Sequence, residues 1–151
     1  MKWTSNLKPP FLVSGDVVLP ARGEFYDAAL ADGGDKIVPS SQLFVLRPRK
    51  GSVTPEFLCW YLNQPVARRH FLANRKGTSI PMISRQVVAD LPVPVPPPET
   101  QRKVVALQRL ADRERKVTEQ LLHNREVMLN GIFKHLLDIP EGLRNGEASI
   151  L

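Results

Sequence analysis

The chain has 151 residues, with 21 Lys and Arg against 15 Asp and Glu, a formal net charge of +6 and 42% hydrophobic residues. That length and apolar content point to one packed domain rather than a disordered chain, while one cysteine, Cys59, excludes an intramolecular disulfide framework or a zinc site built on several thiolates. Residues 1–16 are broken by Pro9 and Pro10, and no stretch approaches the roughly 18 apolar residues of a membrane span, so a cytoplasmic chain without membrane contact is expected.

In chain order, Val17-Val18-Leu19 and Leu43-Phe44-Val45-Leu46 are β-rich runs bounded by Gly15 and Pro20, and by Pro39 and Pro48, which predicts strands. Thr54-Pro55 opens a helix, because Thr caps free amides and proline at the first position loses no hydrogen bond. Phe57, Leu58, Tyr61 and Leu62 then share a face. Pro65 starts a second helical stretch with Val66, Phe71 and Leu72 as its apolar contacts and Arg68, Arg69 and His70 exposed between them. Gly77 to Pro81 reads as a loop leading to Met82-Ile83, after which Ser84 caps a single turn through Val87, Val88 and Leu91. Residues 92–98, PVPVPPP, run extended as a stiff connector, since each proline fixes φ and disfavours α at the residue before it.

From Pro98 to about Leu137 only Gly131 interrupts a helical pattern. Leu107, Leu110, Glu114, Val117, Leu121, Asn124 and Met128 recur at alternating spacings of 3 and 4, the seam of a coiled coil, and past Leu121 the stripe widens into apolar pairs that include Ile132-Phe133. A lone amphipathic rod cannot bury that seam, so a dimerisation or docking role is expected, with Glu114 and Asn124 selecting register and partner. Pro140, Gly142 and Gly146 end regular structure. The expected organisation is a globular part over 1–97, a helix over 98–138 and a polar tail over 139–151. The fold class is α+β, a small mixed domain followed by a long coiled-coil-forming helix.

Charge follows the same division. Residues 1–97 hold 12 basic and 7 acidic side chains, and residues 98–151 hold 9 and 8. Between residues 68 and 85 lie Arg68, Arg69, His70, Arg75, Lys76 and Arg85 with no acid among them, around the small donors Gly77, Thr78 and Ser79. Such a group neutralises phosphates and offers donors to base edges, or is equally a solvated helix face. Arg22, Arg47, Arg49 and Lys50 widen the positive surface.

Catalytic signatures are missing. There is no Walker loop, G-x-G-x-x-G or G-x-S-x-G, and His70, His123 and His135 are scattered, so neither a cofactor nor a metal is expected. Pro9-Pro10-Phe11 resembles part of an amino-methyltransferase motif, but Lys8 stands where Asn is needed. Asp27, Asp32 and Asp35 around Gly33-Gly34 lack calcium-loop spacing and read as a solvated turn. Cys59 reads as a small buried core residue.

Five segments together resemble the specificity subunits of type I restriction-modification systems: Ser14-Gly15-Asp16-Val17-Val18-Leu19, Pro39 to Pro48, Pro55 to Asn63, Gly77 to Ser84, and Leu91-Pro92-Val93-Pro94-Val95-Pro96-Pro97 with Gln101. No one of them is specific; their order is. The resemblance implies a target recognition domain joined to a spacer helix, without catalysis of its own. It also implies as partners DNA and a DNA adenine methyltransferase subunit, with the restriction subunit as a further one. Complete members carry two such halves; this sequence has one, begins after the usual first stretch, and has Pro98 and Thr100 where Leu and Glu are commoner. By position, Lys76, Thr78, Ser79 and Arg85 become DNA-contact candidates, with Arg75 beside them and Arg22, Arg68 and Arg69 on phosphates. A homodimer through Leu107, Leu110, Val117, Leu121, Asn124, Met128 and Ile132 would replace the two halves. The alternative is an interaction or regulatory remnant that docks on such a complex through its helix without binding DNA.

Overall fold

Strong local punctuation decides where this chain turns. In the computed structural model, which describes residues 11–33, 37–49, 51–77 and 79–137, β1 (Val17–Pro20), β2 (Ala29–Leu30) and β3 (Leu43–Leu46) form one antiparallel sheet in the order β2-β1-β3. Residues β-branched or aromatic fit the pleat, and alternation along β1 buries Val17 and Leu19 completely. β2, a two-residue strand, was not among the sequence expectations. It is held from the side, because Asn63 Oδ1 accepts from the Ala28 amide at 2.8 Å and Asn63 Nδ2 donates to the Ala28 carbonyl at 2.9 Å.

Register then creates an ion pair. Val17 pairs with Leu46, so Asp16 and Arg47, one step outward on each strand, face each other. The guanidinium donates to both carboxylate oxygens at 2.6 and 2.7 Å, and the Val13 amide adds a third hydrogen bond at 3.0 Å. Asp16 is fully buried while the Arg47 side chain is half exposed. Burial alone would push the Asp16 carboxyl up, but the Arg47 guanidinium and the Val13 amide outweigh it and hold it below its ordinary value. Arg47 therefore serves the fold, and the expectation that it widens a free positive surface is corrected.

Helix α1 (Pro55–Leu62) starts as its caps require: Thr54 Oγ1 accepts from the Phe57 amide at 3.2 Å, with proline in the first turn. It buries Phe57, Leu58 and Leu62, while Tyr61 is half-buried and donates its hydroxyl to the Pro92 carbonyl at 2.8 Å. Helix α2 (Pro65–Asn74) also opens on its proline. Its inward residues are Ala67 and Phe71, four apart on one face, whereas Val66 and Leu72 are exposed, which corrects the apolar contacts expected for it. His70, expected to be exposed, is half-buried instead: its Nε2 donates to the Val87 carbonyl at 2.8 Å and ties α2 to α3 (Arg85–Ala89). Cys59 packs half-buried against the core with Sγ 3.5 Å from the Ala28 carbonyl, and burial pushes its thiol pKa up.

The chain divides into two compact units, Met1–Gln108 and Arg109–Leu151. The helix α4 (Pro98–Leu137) begins in the first of them. There Gln101 is buried, and its Oε1 accepts from the Thr54 amide at 2.7 Å while its Nε2 donates to the Pro96 carbonyl at 2.8 Å. One side chain thus joins the proline connector, the cap of α1 and the first turn of α4, and Val104 and Val105 pack against the core beyond it. A buried amide satisfied at both ends holds such a junction well, since leaving either end unpaired costs about 1–3 kcal/mol. In the second unit, 29 residues of helix from Arg109 to Leu137 are exposed throughout. Asp35, residues 1–10 and the expected tail lie outside the described residues.

Candidate nucleic-acid interface

Three segments meet edge to edge where the basic residues are densest. Arg22 and Lys76 each form an antiparallel bridge to Met82. Lys76 and Met82 exchange backbone hydrogen bonds of 2.8 Å in both directions. On the other side of Met82, the Gly23 amide donates to the Pro81 carbonyl at 2.9 Å and the Ile83 amide to the Ala21 carbonyl at 3.0 Å. This small ribbon is anchored through Ala21 and Ile83, which are buried. Its tight return needs Gly77, whose φ of 101° is unfavourable for a side chain and whose absent Cβ would sit 3.0 Å from the Ile80 carbonyl oxygen.

Two helices enter and leave the ribbon. α2 runs into Arg75, and Ser84, whose Oγ accepts from the Val87 amide at 3.3 Å, starts α3 at Arg85. Arg22, Arg69, Arg75, Lys76 and Arg85 are all exposed, and none forms an ion pair among the described residues. Arg68 differs. It pairs with Asp27 at 2.5 Å, a contact not legible in the sequence, but both partners are about half exposed, where such pairs contribute at most about 1 kcal/mol and a phosphate can compete. Ser79 is exposed beside the ribbon, and Thr78 lies outside the described residues.

Behind the ribbon, Tyr26 packs on Phe71 with ring centroids 5.9 Å apart. Burial pushes the Tyr26 hydroxyl pKa up, partly offset by the nearby charge of Arg75. Among the described residues no group of three or more His, Cys, Asp or Glu is placed to hold a metal ion, and no helix is long and apolar enough to cross a membrane. What the surface offers chemically is donors and positive charge: guanidinium forks for phosphates or base acceptors, an ammonium and a hydroxyl.

The expected helix seam is likewise displayed. Leu107, Leu110, Val117, Leu121, Met128 and Ile132 are each between 45% and 67% exposed, and Asn124 is exposed among them.

Residues 3–123 match the family described as type I restriction modification DNA specificity domain. The chain belongs to this family. Two solved structures share the fold of this specificity domain. One is a chain from a study of complex assembly and conformational transition of the type I R-M system, with TM-score 0.69 and 22% identity. The other is the HsdS subunit from Thermoanaerobacter tengcongensis, with TM-score 0.64 and 23% identity. Each comparison covers 91% of this chain but 37% of the other, so the specificity domain spans little more than a third of the length of these relatives. No curated protein matches it. Two residues of the segments that carry the resemblance have physical roles here: Asp16 neutralises Arg47 at the strand entry, and Gln101 locks the start of α4.

Proposed function

We propose that this chain is the non-catalytic DNA-recognition and scaffold subunit of a type I-like DNA methyltransferase or restriction complex. Two copies, paired through the α4 seam, do the work of the two halves of a longer subunit. The observation that carries the reading is the set of five exposed cations, none in an ion pair among the described residues, on the bridged ribbon and on the helices that enter and leave it. The exposed seam supports pairing, since closed twofold association is the commonest way for a homo-oligomer to bury such a face. An antiparallel pair relates the two recognition units by symmetry. DNA is the first partner and an adenine methyltransferase subunit the second, with the restriction subunit joining them in the cytoplasm.

Salt dependence tests the DNA part. Each phosphate neutralised on duplex DNA contributes about −0.9 to the slope of log affinity against log salt. Duplex binding followed by fluorescence anisotropy should weaken steeply with salt, and Arg69→Ala with Arg85→Ala should flatten the slope by about 1.8 units. An unchanged slope in the double variant removes these residues from the contact. No duplex binding, even with a copurifying methyltransferase subunit present, favours the second reading, a regulatory element that docks through α4 alone.

A further inference from the structure

Met82 occupies the centre of the bridged ribbon, with Arg22 opposite it on one side and Lys76 on the other. Residues directly opposite in antiparallel register project to the same face, with Cβ atoms about 4.5–5.5 Å apart. Ala21 and Ile83, the neighbours of this row, are 8% and 1% exposed and fill the inner face, while Arg22, Met82 and Lys76 are all exposed on the outer one. Single exposed apolar residues are ordinary. This one is fixed by backbone pairing on both sides and sits between two cations, and Ile80 and Phe25, in the segments leading into and out of the ribbon, are 62% and 73% exposed. Glu24 is the one acidic residue in those segments.

A row of cation, thioether and cation complements a ligand that sets an apolar group between two lines of anions. Duplex DNA has that pattern: phosphates border the major groove, and thymine presents a methyl group on its floor. The dimensions agree. Two inter-strand spacings separate Arg22 from Lys76 by roughly 9–10 Å before their side chains extend, against a groove about 12 Å wide. We propose that Met82 is a specificity-determining residue that packs against a thymine methyl in the major groove while Arg22 and Lys76 hold the phosphates on either side. This rests on the DNA-recognition reading above and deepens it.

The test is selection from a pool of randomised duplexes by the full-length protein and three variants. Met82→Ala should lose preference at one A·T position, by about fivefold for the lost apolar contact, with its salt slope unchanged. Met82→Leu keeps apolar bulk and should keep the preference. Arg22→Ala with Lys76→Ala should do the reverse of Met82→Ala, retaining the selected motif while flattening the salt slope by about 1.8 units. Circular dichroism confirms that each variant is folded, with Met82→Leu guarding against a variant that fails to fold. Identical motifs from the wild type and Met82→Ala overturn the role of Met82 and leave DNA recognition standing. No enrichment by the wild type, with a methyltransferase subunit present as well as without it, overturns both.

Discussion

Replacing Leu121 with Asp should convert the protein from a dimer of twice 17.0 kDa to a monomer at micromolar concentration, as read by light scattering. Leu121 is 67% exposed in the single chain and lies mid-seam, so the substitution hardly perturbs an isolated helix. In a twofold pair it acts twice, placing two carboxylates where a partner seam must dehydrate them. Each such buried charge costs several kcal/mol, and every 1.4 kcal/mol is tenfold in dissociation constant. A loss of affinity of about 1,000-fold or more follows. Glu119→Asp, two residues before Leu121 and on the far side of the helix from the seam, carries Asp's propensity cost of at most about 0.7 kcal/mol and should remain dimeric. Dimer retention by Leu121→Asp would remove the seam from the interface.

The Asp16–Arg47 pair gives the second large effect, and its sign changes with the partner removed. Because the Asp16 carboxyl is held below its ordinary value of 3.8 in the folded chain, its stabilisation is fully present above that value and is lost as pH falls through the lower folded value. Asp16→Asn should cost about 2 kcal/mol at neutral pH, discounted because Arg47 is half exposed, or roughly 10 °C in Tm for a unit of this size. The gap to wild type should then close as pH drops below 3.8. Arg47→Ala leaves a buried carboxylate without its cation, at about 3 kcal/mol or more. Its Asp16 is then raised, so that variant gains relative stability towards acid and loses it as pH rises. Thermal melts across pH 2–7 distinguish these cases. A gap for Asp16→Asn that stays constant down to pH 2 would show that the pair is not its source.

The elements legible in the sequence are those written in local punctuation. β1, β3, the Thr54-Pro55 start, the Pro65 start, the Ser84 cap and the long α4 all rest on prolines, caps or a sustained period, and the structure has them. β2 was not legible because two residues carry no period. It is fixed by pairing with β1 and, beside it, by Asn63, 35 residues away from Ala28. The apolar face of α2 was not legible for a related reason: Val66 and Leu72 are larger than Ala67, but the face that is buried carries Phe71 and, four residues before it, Ala67. Of the candidate site, the cations could be named, since exposure of Lys and Arg is the default. Their engagements could not be named. Arg47 meets Asp16 only through strand register, Arg68 meets Asp27 across 41 residues, His70 meets a carbonyl of another helix, and Met82 gains its flanking cations from two distant segments. The family resemblance carried what local pattern could not, since it placed Asp16 and Gln101 at fixed points whose physical reasons appear only in three dimensions.

The measurement that tests the central claim most directly is the sequence of the DNA sites modified when this chain is co-expressed with an adenine methyltransferase subunit of a type I system. Two identical recognition units related by a twofold axis impose their symmetry on the target. Single-base mapping of methyladenine should therefore return a bipartite site whose two halves are the same sequence in inverted orientation, and it should vanish with Leu121→Asp. Modification that does not depend on this chain, or a site whose halves differ, would contradict the account.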